Sequence, residues 1–455
     1  MKIDLLVAEI GSTTTVVNAF NHIDIKPVFI GQGQSTTTVS DGDVNIGLKN
    51  AINDLAQNTN CDSIEYNELI ATSSAAGGLR VTVHGLVYDM TVKAAKEAAL
   101  GAGANIKLVT AGRLRKSDLK KIVDINPNII LIAGGVDYGE RDTAIYNSEM
   151  IQSLNLNIPI IYAGNIENQE EIRQIFEESN MELHITDNVY PQIDQLNIEP
   201  TRKIIQEVFE THIVHAPGMK EIREMVTGSI MPTPGAVMMA SQLLYNNIGD
   251  LITIDIGGAT TDIHSVSSES DHIKRILTNP EPLAKRTVEG DLGLYINMDN
   301  LVELLGMDKI KEKLSLNDEQ VEDLIINKKP IPETELEINF VELMTFVAGE
   351  IALKRHVGKI KDLYGPSGKI TIAEGKDLTA VKYIIGTGGA LTGLPNRLNI
   401  LNEIKEINPK NLLLPNKEAV VLIDENYIMA SIGVISKTYP EVALGLILES
   451  MGIHN

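Results

Sequence analysis

Two short segments of the chain repeat one arrangement of glycine, hydroxyl and carboxylate residues. Residues 5–15 read LLVAEIGSTTT and residues 251–261 read LITIDIGGATT, with a carboxylate two residues before the first glycine of each. In both copies a strand-like run reaches a glycine turn and continues into a second strand, at residues 15–20 and 262–266, which predicts a β-hairpin. We name these the first and second hairpin. Two such copies predict two similar halves of the protein.

The residues of these turns suit the binding of a polyphosphate. Gly11, Gly257 and Gly258 let a ligand approach the backbone, because no side chain stands in the way. Hydrogen-bond donors are supplied by Ser12, Thr13, Thr14, Thr260 and Thr261. The nearby carboxylates Glu9, Asp255 and Asp262 cannot bind phosphate directly and instead favour Mg²⁺ held through water. One hairpin alone would be more typical of an ordinary glycine turn; two copies favour a phosphate site.

Two further segments could complete such a site. Residues 385–390, IGTGGA, predict a strand that ends in a glycine turn, where Gly386, Gly388 and Gly389 open a helix whose free amides attract ribose oxygens or a phosphate. Residues 286–293, RTVEGDLG, alternate glycines with carboxylates soon after the second hairpin, so that Glu289 or Asp291 could orient a water molecule. A solvated acidic turn explains this last segment almost as well.

The elements between the two hairpins follow a different pattern. Strand-like runs at residues 106–110, 129–133, 158–163 and 183–186 alternate with helical runs at 117–124, 142–154 and 169–179, which predicts a parallel, doubly wound sheet. Small and polar residues follow each strand, so the carboxyl edge is a candidate second site, unless the glycines only end the strands. After the second hairpin we expect a helix at residues 340–363, strands at 381–385 and 419–423, and a last helix at 424–434 with an acidic N-cap.

Composition restricts the classes of function. The 455 residues allow two to four domains, and a net charge of −22 disfavours nucleic acid and anionic membranes as partners. The single cysteine, Cys61, excludes an intrachain disulfide, a Cys-ligated iron–sulfur cluster within one chain and a Cys-rich zinc site. Neither a signal peptide nor a membrane span is evident, so we expect a cytoplasmic protein.

The order of the two hairpins and the 385–390 segment resembles the actin, Hsp70 and sugar-kinase ATPase superfamily. This resemblance implies an α/β fold in which two ribonuclease-H-like, actin-like ATPase halves close over MgATP, with connecting helices near residues 235–244 and 430–434. We therefore expect ATP and Mg²⁺ as cofactors, Glu9 and Asp255 as metal ligands, and Asp255, Asp262 and Glu289 as catalytic residues. Glu9 stands where the superfamily usually has Asp. The doubly wound α/β region is an insertion specific to a narrower family.

Within that superfamily, the chain resembles the MutL-like accessory protein family of adenosylcobalamin-dependent glutamate mutase, which includes members linked to ornithine aminomutase. The resemblance rests on segments along nearly the whole chain: residues 7–15, 72–91, 133–144, 186–194, 197–205, 231–237 and 286–293. It implies an ATP-dependent chaperone or reactivating factor that exchanges damaged cobalamin on a mutase. A small-molecule kinase and an actin-like scaffold are the alternatives on the same fold.

The resemblance also gives a division of the chain. We expect a first actin-like half at residues 1–80, an inserted α/β domain at 81–228, and a connecting helix with the second actin-like half at 229–455. The expected partners are the subunits of a B12-dependent mutase, with a homodimer as a further candidate. The inserted domain is the candidate mutase-facing surface, because the minimal ATPase fold lacks it.

Overall fold

The computed structural model describes residues 1–38, 43–74, 79–177, 179–212, 219–228, 230–365 and 368–453. The strands, in chain order, are β1 (Lys2–Ile10), β2 (Thr14–Asn21), β3 (Val28–Thr36), β4 (Glu65–Ser73), β5 (Leu79–Gly85), β6 (Ala104–Ala111), β7 (Ile129–Ile132), β8 (Ile160–Tyr162), β9 (Leu183–Ile185), β10 (Ile230–Pro232), β11 (Leu251–Ile256), β12 (Thr261–Val266), β13 (Ala284–Glu289), β14 (Lys359–Gly365), β15 (Gly368–Glu374), β16 (Tyr383–Thr387) and β17 (Val420–Ile423).

The helices are α1 (Val44–Asn58), α2 (Lys93–Gly101), α3 (Lys116–Ile125), α4 (Asp142–Gln152), α5 (Gln169–Glu177), α6 (Glu199–His212), α7 (Met219–Met225), α8 (Thr233–Ile248), α9 (Asp271–Lys274), α10 (Met298–Leu305), α11 (Met307–Leu314), α12 (Asp318–Ile326), α13 (Glu335–His356), α14 (Gly388–Gly393), α15 (Arg397–Glu406), α16 (Met429–Ile435) and α17 (Pro440–Ser450). None of the helices in the described part of the chain is long and apolar enough to span a bilayer.

Two five-stranded sheets share one topology. The first has the order β3-β2-β1-β4-β10 and the second the order β13-β12-β11-β16-β17. In both, the first three strands are antiparallel neighbours and the remaining pairs are parallel. This is the strand order of a ribonuclease-H-like fold, so the two predicted halves are confirmed. Both hairpins contribute the central antiparallel pair of their sheet.

A third sheet, with the order β6-β5-β7-β8-β9, is parallel throughout. Alternate side chains of β7 lie in different cores: Ile129 and Leu131 belong to a cluster that also contains Ile3 and Leu6 of the first sheet. Ile130 and Ile132 instead pack with side chains of α3, α4 and α5. The third sheet therefore has apolar packing on both faces and shares one of its two cores with the first sheet.

The structure corrects two predicted helices. The last helix, expected at residues 424–434 with an acidic N-cap, is α16, which begins at Met429 because Tyr427 has a φ of 51°, outside the helical range. The helix expected at residues 340–363 is α13, which ends at His356, and residues 359–365 instead form β14, paired with β15 in a hairpin. Gly358 explains the change of direction, because a Cβ there would lie 2.6 Å from the carbonyl oxygen of Glu374. At Gly358 the backbone lies so close to that of Glu374 that there is no room for a side chain, and the helix does not continue past this point.

The two predicted connecting helices, α8 and α16, pack against each other at a glycine. A Cβ on Gly433 of α16 would lie only 1.9 Å from the carbonyl oxygen of Ala236 in α8. The contact joins α8, which follows β10 of the first sheet, to α16, which follows β17 of the second sheet. Backbone-to-backbone packing of this kind requires glycine at the crossing point.

Candidate functional site

The two hairpin turns are closed by equivalent backbone hydrogen bonds. The amide of Gly11 donates to the carbonyl oxygen of Thr14 over 3.0 Å, and the amide of Gly257 donates to that of Thr260 over the same distance. The strands leave the two turns in equivalent register, with Ile10 opposite Thr15 and Ile256 opposite Thr261. The sequence repeat is therefore also a repeat of turn hydrogen bonding and strand register.

The structure brings the three glycine segments together. A Cβ on Gly258 in the second turn would lie 3.1 Å from Thr13 Oγ1 in the first. A Cβ on Gly388 would lie 2.4 Å from Asp255 Oδ1, and the φ of +84° at Gly388 also favours glycine. Gly389 is exposed and has open space where a Cβ would stand. Three segments that lie far apart in the sequence thus line one region.

The predicted phosphate-binding residues divide into accessible and buried groups. Ser12 is exposed, and the accessible remainder are partly exposed: Gly11, Thr13, Thr14, Gly257, Gly258 and Thr260. Thr261 is fully buried and donates to the carbonyl oxygen of Leu292 over 2.7 Å. Gly386 is buried within β16, where a Cβ would lie 2.9 Å from Leu401. Thr261 and Gly386 therefore have packing roles that do not require a ligand.

Glu9 joins the first sheet to α16 of the second half. Its Oε1 accepts hydrogen bonds from the Ser431 amide over 3.0 Å, from the Ser431 hydroxyl over 2.5 Å and from Asn18 Nδ2 over 3.1 Å. Ser431 lies in the first turn of α16, where helix amides lack intrahelical partners. Burial, and to a smaller extent the charges of Asp424 and Asp255, raise the pKa of Glu9 to about 7. The hydrogen bonds from Ser431 act in the opposite direction and lower this pKa.

Asp255 and Asp424 add two carboxylates to the same region. Asp255 faces Asp262 across the hairpin, and burial followed by the charge of Asp262 raises the pKa of Asp255 to about 7. Asp424 is fully buried and accepts hydrogen bonds from the Met429 amide over 2.7 Å and from Thr387 Oγ1 over 3.1 Å. Burial also raises the pKa of Asp424. The region therefore concentrates acidic groups that a cation would stabilise.

Asp424 and Tyr427 are site residues that the sequence did not reveal as such. The sequence predicts Asp424 only as the start of the last helix. Its side chain does accept from the first amide of α16, but it also contacts Thr387 beside the glycine turn. Burial and the charges of Glu9, Asp255 and Asp424 raise the pKa of the Tyr427 phenol. The left-handed backbone of Tyr427, with a φ of 51°, has no signature in the sequence. The signal that could have indicated Asp424 as a site residue is its position directly after β17.

Asp262, a predicted catalytic residue, lies in a buried ion pair. Its Oδ1 accepts from Arg286 Nε over 2.8 Å and lies 2.6 Å from Arg286 Nη2, while Oδ2 accepts from Thr260 Oγ1 over 3.0 Å. Asp262 is 4% exposed and Arg286 is 2% exposed. The carboxylate thus contacts the turn on one side and a buried guanidinium on the other.

Glu289, the other predicted catalytic residue outside β11, lies opposite Thr261 at the end of β13. Its carboxylate forms an ion pair of 2.6 Å with Arg355 of α13, which also contacts Asp291 over 2.9 Å. Arg355 therefore holds both acidic residues of the 286–293 segment in place. The arrangement leaves them near the second turn, with their charge partly neutralised.

The donor set fits a nucleotide with its metal. Two glycine turns offer backbone amides and hydroxyl groups, and Gly388 removes the side chain that would otherwise meet Asp255. Among the described residues, no three His, Cys, Asp or Glu side chains are arranged as a metal-ligand set. A Mg²⁺ ion that keeps several waters and binds phosphate oxygens needs only one or two carboxylates, for which Asp255 and Glu9 are the candidates.

Comparisons with known proteins extend over the whole chain. A family model described as MutL protein matches residues 5–451. Protein MutL of Clostridium tetanomorphum is 36% identical over 451 residues, covering 96% of this chain and 97% of that protein. Among solved structures, nucleotide-free acetone carboxylase is 12% identical with a TM-score of 0.41, over 95% of this chain and 70% of that one. Nucleotide-free diol dehydratase-reactivating factor is 11% identical with a TM-score of 0.35, over 99% of this chain and 100% of that one. Since the family model and the 36% identical relative both span nearly the full length, this chain belongs to the MutL protein family.

Proposed function

We propose that this protein is an ATP-dependent accessory factor that reactivates an adenosylcobalamin-dependent mutase of the glutamate mutase or ornithine aminomutase type. The observation that supports nucleotide binding best is the convergence of the two hairpin turns and the 385–390 segment, with Gly258 against Thr13 and Gly388 against Asp255. Family membership and the sequence segments described above support the role beside a mutase. We place this activity in the cytoplasm.

In this proposal the accessible turn residues hold the phosphates. The backbone amides of residues 12–14 and 258–260 donate to phosphate oxygens, and the exposed Gly389 leaves room for the nucleoside end. Asp255 and Glu9 hold Mg²⁺ through water, and the ion, when bound, neutralises phosphate charge. Glu289, held by Arg355, orients a water molecule near the second turn.

A reactivating factor has to favour a mutase conformation in which the cofactor is loosely held. A nanomolar cofactor is bound by about 12.3 kcal/mol, so its unassisted release is slow. An accessory protein can accelerate exchange only through its differential affinity for two mutase states. Nucleotide binding between two halves that meet at the Gly433 crossing would switch that affinity.

Nucleotide binding is tested by thermal unfolding with and without MgATP. At a hundred times Kd, a ligand stabilises the folded protein by about 2.7 kcal/mol, a shift that calorimetry resolves. We expect Asp255→Ala to fold and to lose most of this stabilisation, whereas Asp271→Ala, at an exposed site in α9, keeps it. Equal MgATP stabilisation in both variants would show that the site is elsewhere.

The mutase role is tested by mixing inactivated cognate mutase, this protein, MgATP and free adenosylcobalamin, then following mutase activity. We expect recovery with ATP, and little without ATP or with Asp255→Ala. Recovery that does not depend on ATP would overturn the ATP-driven mechanism. Absence of recovery together with phosphorylation of a small acid or sugar would instead support the kinase alternative.

A further inference from the structure

A buried polar interface joins the third sheet to the second half of the protein. Lys93 of α2 forms an ion pair of 2.6 Å with Glu281, just before β13. Glu97, one turn further along α2, lies 3.8 Å from Lys376. Arg202 of α6 donates from Nη2 to the carbonyl oxygen of Ala284 over 3.2 Å. These three contacts between the two parts of the chain are all polar or charged.

Arg286 links this interface directly to the second hairpin. Its Nε and Nη2 engage Asp262, at 2.8 and 2.6 Å. Its Nη1 donates to the carbonyl oxygens of Leu100, near the end of α2, and Ala104, at the start of β6, both over 3.0 Å. Arg286 is the largest fully buried side chain among the described residues. One guanidinium thus bridges the turn of the second hairpin and the third sheet.

The interface leaves some of its buried polar atoms without partners. Within the described part of the chain, Glu97 Oε2, Glu281 Oε2 and Arg202 Nε are buried and form no hydrogen bond. Unsatisfied buried groups destabilise the arrangement that contains them, and such groups are rare in native proteins. Three such atoms lie at one interface, so a shift of its polar contacts would not break a fully paired hydrogen-bond network.

We propose that Arg286 is a positioning residue that couples nucleotide binding at the second hairpin to the α2–β6 junction of the third sheet. This inference rests on the proposed nucleotide site. When a ligand on the turn shifts Asp262, the guanidinium follows and its hydrogen bonds to Leu100 and Ala104 change. Only arginine has the planar fork needed to serve the carboxylate and both carbonyl oxygens together. Binding of a ligand at the turn thereby changes the hydrogen bonding at the α2–β6 junction of the third sheet.

The test compares hydrogen–deuterium exchange with and without MgATP in the wild type and in Arg286→Lys. We expect MgATP to change exchange in wild-type peptides from both the second hairpin and residues 93–111. In Arg286→Lys the change at the hairpin persists and the change at 93–111 is lost, with MgATP affinity lowered by about fivefold or more. Arg202→Lys is the matched control, because Arg202 is similarly buried at this interface but does not contact Asp262.

The outcomes separate this inference from the proposed function. If the wild type does not bind MgATP, the proposed function fails and the coupling fails with it. If the wild type binds MgATP but residues 93–111 respond equally in wild type and Arg286→Lys, only the coupling is overturned. The coupling through Arg286 is also overturned if Arg202→Lys abolishes the response as Arg286→Lys does. Should Arg286→Lys not fold, Arg286→Gln serves instead, since it leaves the hairpin residues unchanged and replaces the guanidinium with a neutral amide that can still donate.

Discussion

Glu9 makes the stability of the protein depend on pH in an unusual direction. Its pKa rises from 4.5 to about 7 on folding, so the folded protein holds a proton that the unfolded chain releases between these values. Stability from this group is therefore present at low pH and is lost as pH rises through 7. A difference of roughly 2.5 pKa units corresponds to about 3 kcal/mol.

We expect Glu9→Gln to remove this dependence, because the amide keeps the side-chain oxygen but cannot ionise. Urea unfolding at pH 5, 6, 7 and 8 checks this: the free energy of unfolding of the wild type should fall relative to that of the variant as pH rises. Buried His264 and His356, whose pKa is lowered by burial, act in the opposite direction but are present in both proteins. A constant difference across the pH range would contradict the assignment.

Glu9→Asp, the change to the residue usual in the superfamily, should weaken the contact with α16. The shorter side chain withdraws from Ser431, whose amide and hydroxyl both donate to the Glu9 carboxylate. We expect a loss of about 1–3 kcal/mol in unfolding free energy. In Ser431→Ala, which has already lost the hydroxyl donor, the same change should cost less. Equal losses in both backgrounds would mean that the Ser431 hydroxyl does not contribute to the contact with Glu9.

Asp262→Ala should unfold the protein far more readily than a substitution at an exposed site. It leaves the guanidinium of Arg286 buried without its partner, which costs about 3–5 kcal/mol. Combining it with Arg286→Met should restore part of the loss, and chemical denaturation of the single and double variants measures the recovery. Loss of MgATP stabilisation in Asp262→Ala would therefore not by itself identify a catalytic residue.

These residue-scale contacts were beyond sequence reasoning for a physical reason. The glycines and hydroxyl groups of the hairpins could be recognised because turns depend on neighbours in sequence. The partner of Glu9 stands 422 residues away, and that of Asp262 is 24 residues away on another strand. Only the pairing of whole elements brings them into contact.

Among the elements, the crossing of α8 and α16 is the most sensitive to a small change. We expect Gly433→Ala to destabilise the protein by about 1–3 kcal/mol, because its methyl group would meet the Ala236 backbone. Gly445→Ala in α17 is the control: it has open space for a Cβ and should be neutral or stabilising by up to about 1 kcal/mol. Thermal unfolding compares the two. A Gly433→Ala variant as stable as Gly445→Ala would contradict the described packing.

Elements were predicted well where hydrophobic runs were long or repeated, as in β1, β2, β11 and β12. Strand β5, the second strand of the third sheet, was not predicted, although the alternating apolar and polar residues of its sequence LRVTVHG are a strand signal. The end of α13 was misplaced since the run from Ile351 to Leu363 stays largely helix-compatible. The close approach at Gly358 that ends it depends on residue 374, which local periodicity cannot reveal.

At the scale of the whole molecule, the shared core determines which parts can fold alone. Val81, Val83 and Leu131 of the third sheet pack in one cluster with Ile3 and Leu6 of the first. We therefore expect a fragment of residues 79–228 to expose apolar surface and to aggregate or unfold without a cooperative transition. Circular dichroism melting and size-exclusion chromatography check this. A soluble monomeric fragment with a sharp transition would show that the inserted region is independently stable.

The matching strand orders of the two sheets also bear on ancestry. Sheets that agree in order, direction and turn geometry are what duplication of one ancestral segment would leave. Equivalent positions can then be compared: five residues after the first glycine stands Asp262 in one copy and Val16, 2% exposed, in the other. At this position the first copy therefore has no carboxylate that could pair with a guanidinium. In the described part of the chain, the second hairpin alone therefore carries the Asp262–Arg286 pair, through which it is held to α2 and β6.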